Sequence, residues 1–207
     1  MKVLIINGSP RPKGNSVRLI KEISEVFDSL GVEHETVAVG NKDIRGCIAC
    51  NTCKIKGEGC IFKDIVNDTV PKLAEADGII IVSPVYFASP NGTLISFLDR
   101  LFYSCGIDVR MKVGAAFAIA RRAGTTASFD MLNKYFTMTG MPVASGDYWN
   151  NGYGREPGQI EGDKEGLRNA RVVAKRMVFL MKAIGEAKEK YPELLQDDPR
   201  EWTHFMR

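Results

Sequence analysis

Four of the chain's five cysteines, Cys47, Cys50, Cys53 and Cys60, fall within 14 residues. Thiolates are soft ligands, and several from one short run can surround a single centre. The run is Cys-x2-Cys-x2-Cys-x6-Cys. Its two short gaps wrap three thiolates together, and the longer gap, which contains Gly57 and Gly59, can fold the fourth back. This is the usual ligand supply of a [4Fe–4S] cluster. Four-cysteine zinc sites more often use two separated Cys-x2-Cys knuckles. The spacing therefore favours the cluster and leaves zinc, or free redox-active thiols, as alternatives. Cys105 stands apart. Arg110 follows it after four residues with no strand ahead, which excludes a Cys-x5-Arg phosphate loop, so Cys105 reads as a buried apolar cysteine.

Three further segments carry binding chemistry. Residues 8–16 read Gly-Ser-Pro-Arg-Pro-Lys-Gly-Asn-Ser and run into a helix that Asn15 or Ser16 can cap. A small, hydroxylated, Arg-bearing loop before a helix start is a natural phosphate site. It is not a Walker A loop, because five residues separate Gly8 from Gly14 and no Lys-Ser/Thr follows. An ordinary strand–helix turn uses the same residue types. Residues 83–92 read Ser-Pro-Val-Tyr-Phe-Ala-Ser-Pro-Asn-Gly. Adjacent aromatics at a strand end are costly unless they cover a planar ring, a subunit partner or the core itself. Residues 120–125, Ala-Arg-Arg-Ala-Gly-Thr, add two arginines and a glycine, although surface arginines are common.

These segments need strands and helices to bring them together. Val3 to Ile6, Val32 to Val39, Gly78 to Ser83, Val113 to Ala120 and the short Pro142 to Ala144 read as five strands. Helices are expected at 16–30, 65–76 (weakened by Pro71), 92–103, 126–138 and about 165–185, from apolar residues at helical spacing. Residues 146–164 read as a polar loop, and a charged tail follows at about 186–207. Strands alternating with helices predict βαβ units, hence a doubly wound α/β sheet in a three-layer α/β/α sandwich. The flavodoxin-like order 2-1-3-4-5 suits a five-stranded parallel sheet of this size. The expectation is one domain over 1–207, with a cysteine-rich insertion at about 44–63. In such sheets ligands bind beyond the carboxyl ends of the strands, where all three loops fall.

Composition narrows the function classes. The net charge is +3, with 28 basic against 25 acidic residues, too balanced for a dedicated nucleic-acid or membrane-surface binder. No stretch approaches 18 apolar residues, and the N-terminal apolar run is too short for a signal peptide. A reducing cytoplasm is the expected compartment, where clustered cysteines mean metal or redox chemistry. Of the two histidines, His34 lies in a peripheral strand and His204 in the tail, and the acidic residues form no convincing catalytic pair. That poverty suits chemistry carried by a cofactor. A receiver-type signalling domain needs acidic residues after strand one, where Asn7 and Gly8 stand.

Gly-Ser-Pro-Arg-x-x-Gly-Asn-Ser at 8–16, Ser-Pro-Val-Tyr-Phe at 83–87, Phe97-Leu98-Asp99-Arg100 and Arg122-Ala123-Gly124 together resemble the NAD(P)H-dependent FMN reductases of the flavodoxin-like superfamily. The resemblance covers residues 1–185. It implies that Ser9, Arg11, Asn15 and Ser16 hold the FMN phosphate. It lays Pro84, Val85, Tyr86 and Phe87 along the isoalloxazine ring and closes its other edge with Arg122, Gly124 and Thr125. The cysteine run after the second strand resembles the iron–sulfur flavoproteins, in which a cluster passes electrons to FMN. The implied activity is electron transfer through FMN from NAD(P)H or the cluster to a small-molecule or protein acceptor. A cluster-free FMN or quinone reductase and a non-enzymatic flavodoxin-like carrier are the alternatives. A homodimer or homotetramer is expected by analogy, with Tyr86, Phe87, Phe102, Tyr103, Tyr148 and Trp149 as interface candidates.

Overall fold

The apolar runs of the sequence become the middle of a parallel sheet in the computed structural model, which describes residues 1–199, 201 and 203. β1 (Lys2–Asn7) is flanked by β2 (Glu33–Ala38) and β3 (Gly78–Tyr86). On the other side of β3 lie β5 (Val113–Ala120) and then β6 (Asn151–Tyr153), so the parallel path is β2-β1-β3-β5-β6. Every residue of β5 is buried, as are Val3 to Asn7 of β1. Continuous Val, Ile and Ala runs suit strands covered on both faces. In register, Ile5 lies opposite Ile80 and Ile81 opposite Ala116.

Strand side chains alternate between the faces, and the core divides accordingly. Val3, Ile5, Ile80, Val82, Ala115 and Phe117 pack with α1 (Asn15–Ser29) and α6 (Lys164–Lys190). Leu4, Ile6, Ile79, Ile81 and Ala116 pack with α3 (Ile65–Glu75), α4 (Gly92–Ser104) and α5 (Thr125–Met138). This is the expected three-layer, flavodoxin-like sandwich. The cysteine segment crosses from β2 to α3 and contains only one short helix, α2 (Thr52–Lys56). Pro71 does not interrupt α3: Asp64 caps its start by accepting from Val66 N at 3.1 Å, and buried Val66 and Leu73 anchor it on either side of the proline.

Two details differ from the sequence expectation. The fifth parallel strand is β6 at 151–153, not 142–144, which makes only a bridge between Val143 and Gly114. The chain leaves the sheet edge between these two contacts. Asn169 of α6 holds the excursion, its amide accepting from Asp147 N at 2.8 Å and donating to Tyr148 O at 3.3 Å. A three-residue Asn-Gly-Tyr strand has no β-branched residue to announce it. Residues 146–164 are therefore part sheet edge, part 3-10 turn (Gln159–Gly162). A sixth strand, β4 (Ser89–Pro90), turns back antiparallel on β3 within the loop expected at 84–92. The end of the charged tail, with Arg200, Trp202 and His204 to Arg207, lies outside the described residues. Among the described residues no helix is long and apolar enough to cross a membrane.

Candidate functional site

The carboxyl ends of β1, β3, β5 and β6 open onto one cleft of about 200 Å³. The loop after β1 contributes Ser9, Arg11 and Gly14 and leads to Asn15 and Ser16. Its path is fixed by side chains. Asn7 accepts from Ser9 N at 2.9 Å, and the Ser9 hydroxyl accepts from Arg11 N at 3.3 Å. From the next crossover, buried Asn91 donates to Gly8 O at 2.8 Å while its own oxygen caps α4 through Thr93 N at 2.8 Å.

Neither Asn15 nor Ser16 caps α1, contrary to the sequence expectation. Gly14 occupies the N-cap, and among the described residues no side chain caps this helix. The Asn15 amide is engaged elsewhere, accepting from Ile160 N at 3.3 Å. A helix start left uncapped beside an arginine favours an anion.

Pro84, Val85 and Tyr86 line the cleft as expected, but four other candidates do not. Phe87 sits fully exposed at the tip of the β3–β4 hairpin, in the left-handed region at φ +50°, followed by Ala88 at +59°. Arg122 is exposed outside the lining, and its neighbour Arg121 takes the place at the cleft. Gly124 (φ +89°) acts indirectly: a Cβ there would stand 2.8 Å from Ala88 Cα, so glycine lets the β5 loop close on the β3 hairpin. Thr125 is buried, its hydroxyl 3.3 Å from the Tyr153 hydroxyl. Gly14, Ala120 and Arg121, which also line the cleft, fall in the segments read from the sequence, whereas Ile119, Gly154 and Arg155 were missed. Gly154 and Arg155 follow β6, and only a correct fifth strand would have directed attention to them.

The second centre is the cysteine segment. Cys47, Cys50, Cys53 and Cys60 all line one small pocket, walled by Ile48, Ile61, Phe62, Tyr103 and Arg100. The backbone is bent around it. Ala49 and Asn51 are left-handed at φ +53° and +56°, a cost for non-glycine residues, and Gly57 and Gly59 stand at +70° and +80°. Ala49 N lies 3.5 Å from Cys47 Sγ. The Thr52 hydroxyl and main chain beside Cys50 hold its thiol below the ordinary value. Asn67 clamps the backbone of Cys60, accepting from Cys60 N and donating to Cys60 O, both at 2.9 Å.

Arg100 reaches this segment from α4 and is 1% exposed. It grips Asp64 through two bonds of 2.7 and 3.0 Å, donates to the carbonyls of Arg45 and Phe62, and places Nε 3.3 Å from Cys60 Sγ. All five cysteines are free, and Cys105, half-buried, packs against the α3–α4–α5 core as a bystander. Among the described residues no three His, Cys, Asp or Glu side chains converge tightly enough for a single metal ion. A four-iron cluster takes one thiolate per iron and spaces its ligands more widely. Four thiols on one apolar-walled pocket, with N–H donors aimed at sulfur, fit such a group.

A family model described as NADPH-dependent FMN reductase matches residues 1–156. An iron-sulfur flavoprotein of Methanocaldococcus jannaschii is 35% identical over 192 residues, covering 89% of this chain and 99% of its own. Another, of Methanosarcina thermophila, is 28% identical over 194 residues, covering 92% and 100%. Among solved structures, a flavodoxin from the domain Archaea superposes with a TM-score of 0.57 at 16% identity, covering 89% of this chain and 99% of its own, a likeness of fold. The match of residues 1–156 spans the cysteine run and every loop of the cleft, and the chain belongs to the NADPH-dependent FMN reductase family.

Proposed function

We propose that this protein is an FMN-dependent oxidoreductase of the iron–sulfur flavoprotein kind, with FMN in the cleft and a [4Fe–4S] cluster on Cys47, Cys50, Cys53 and Cys60. The observation that carries the reading is the pairing of two centres on one flavodoxin-like sheet: a cleft with an uncapped helix start beside Arg11, and a four-thiol pocket. Ser9, Arg11 and the start of α1 hold the phosphate, with Asn15 and Ser16 shaping the turn. Pro84, Val85 and Tyr86 lie along the ring, with Ile119 and Ala120 beside them on the neighbouring strand. Gly124 and Thr125 support the loops from outside the cleft, and Phe87 and Arg122 are exposed beyond it. When bound, FMN accepts a hydride or single electrons and the cluster exchanges single electrons, so the pair joins two-electron and one-electron partners.

The chain's own task is placement. Arg121, exposed at the rim, suits a second anionic ligand and supports a phosphate-bearing donor such as NAD(P)H. Exposed Tyr86, Phe87, Tyr103, Tyr148 and Trp149 support assembly into a homodimer or homotetramer. The chain then acts as a single unit over 1–207, in a reducing cytoplasm that keeps the thiols available.

Anaerobic purification and reconstitution, followed by flavin, iron and acid-labile sulfide assays, tests the reading. The expected result is one FMN with four iron and four sulfide per chain, as a [4Fe–4S] cluster requires. FMN without iron leaves a cluster-free reductase; a chain that binds no FMN overturns the proposal. NAD(P)H oxidation against quinone and FMN acceptors separates an enzyme from a mere carrier.

A further inference from the structure

Arg100 is an unusual residue to bury. Among the described residues it is the largest fully buried side chain, and burying a guanidinium is expensive unless it is paired and its donors are used. Asp64 supplies the charge, 28% exposed on its own side chain. Pairing with Asp64 alone accounts for two of the five donors. Two more reach Arg45 O (3.4 Å) and Phe62 O (3.3 Å), one on each side of the cysteine run. The remaining Nε–H points at Cys60 Sγ from 3.3 Å. The fork thus ties both ends of the segment to α4 and spends its last donor on sulfur.

We propose that Arg100 is a positioning residue for the iron–sulfur centre, fixing Cys60 and setting the centre's reduction potential through its Nε–H contact with the Cys60 sulfur. The inference rests on the cluster reading above. Hydrogen bonds to ligand sulfurs are among the levers that set cluster potentials. A donor beside the sulfur stabilises the more negative, reduced state, so it raises the potential. Arginine suits the position because its planar fork fixes the direction of every donor, whereas a lysine offers one flexible point charge.

The test compares Arg100→Lys with Asp64→Asn in anaerobically reconstituted protein. Iron and sulfide content, melting temperature and the midpoint potential by EPR-monitored titration are read for each. Arg100→Lys keeps a charge near Asp64 and loses the Nε–H. Its reduction equilibrium is expected to fall at least tenfold, about 59 mV more negative for one electron. Asp64→Asn breaks the ion pair but leaves the Nε–H on sulfur, so it should lower the melting temperature and shift the potential far less. Iron loss in Arg100→Lys with retention in Asp64→Asn also supports the proposal. An unchanged potential in Arg100→Lys, or equal shifts or equal iron loss in both variants, overturns it. Should Arg100→Lys not fold, Arg100→Met combined with Asp64→Asn removes the buried charge and keeps the α3 cap. The same negative shift is required of it, and a wild-type potential there overturns the proposal. Wild-type protein without iron after reconstitution sinks the cluster reading itself, a result distinct from every variant comparison.

Discussion

Replacing Arg11 by alanine separates a phosphate contact from a general defect in the cleft. The Arg11 guanidinium is exposed, and its one hydrogen bond among the described residues runs to Arg155 O at 3.4 Å. Losing it should change stability by no more than about 0.5 kcal/mol, the usual range for a surface substitution. Its contribution to FMN binding is larger. A charge-assisted hydrogen bond contributes about 1.5–3 kcal/mol. Screening at an exposed position reduces that to about 1–2 kcal/mol. At about 1.4 kcal/mol per tenfold, the dissociation constant for FMN should rise about 5- to 30-fold. Riboflavin carries the same ring and ribityl chain without the phosphate, so its affinity should stay at the wild-type value. Quenching of flavin fluorescence during titration of the apoprotein measures both. The gap between the two ligands should also narrow as salt rises, because the Debye length falls from about 10 Å at 0.1 M to about 3 Å at 1 M. Equal weakening of FMN and riboflavin, or none for FMN, would refute the assignment of the phosphate to this end of the cleft.

Asn91→Ala removes the α4 cap, worth about 1 kcal/mol, and orphans the Gly8 carbonyl, worth about 1–3 kcal/mol more. Urea unfolding should show a loss of about 2–4 kcal/mol, and a loss below about 0.5 kcal/mol would mean that water replaces the amide. Gly154→Val places a Cβ 2.7 Å from Asn15 Nδ2 and 2.8 Å from Ile160 N, at the wall of the cleft. Overpacking of this kind costs about 1–3 kcal/mol, and the purified variant should retain less flavin than wild type. Burial pushes the Glu22 carboxyl up, but Arg18 and Arg171 more than offset this and hold it below its ordinary value. A depressed folded value gives stability that is present above the unfolded value and is lost as pH falls through the folded one. Glu22→Gln should therefore narrow the stability gap to wild type on the acid side, read from melts between pH 7 and 3; a gap that stays constant with pH removes Glu22 from the acid response.

Most of the sheet was legible because its strands are long and apolar on both faces. β1, β3 and β5 are near-continuous Val, Ile and Ala runs, and such runs have few other places to go. Those strands also carry the three loops, so the segments followed from strand ends, and the family resemblance singled out Ser9, Arg11 and Pro84 to Tyr86 within them. β6 was illegible because three residues of Asn-Gly-Tyr carry no periodicity. Its register comes from tertiary contacts: Asn169 reaching from α6, and a Gly152 that admits no Cβ beside Ile119. With β6 misplaced, Gly154 and Arg155 went unseen. The positions of Phe87 and Arg122 were missed for a different reason. Adjacent residues on a tight turn point in different directions, and no spacing rule says which one faces the ligand. For Arg100 the sequence offered only a place in a motif. Its partners lie 36 to 55 residues away, so its burial is a property of the fold.

The two centres are not independent features on a common scaffold. Asn91, the N-cap of α4, holds the Gly8 carbonyl at the start of the loop that leads to the cleft, and Arg100 on the same helix holds Cys60. Arg100 lies nine positions after Asn91, roughly 13 Å along a helix axis at 1.5 Å per residue. Between them Leu94, Phe97 and Leu98 are fully buried against the sheet, so α4 cannot shift without opening the core. Each end spends a buried polar side chain on backbone that its own hydrogen-bonded elements leave unpaired: Asn91 on the β1 loop, Arg100 on Arg45 and Phe62. Such groups are costly when half-satisfied and rigid when complete. A single stiff helix with two polar clamps is how this chain fixes the separation of the cleft and the thiol pocket. It also explains why the strain at Ala49 and Asn51 persists, since the segment that bears it is anchored on both sides by one guanidinium.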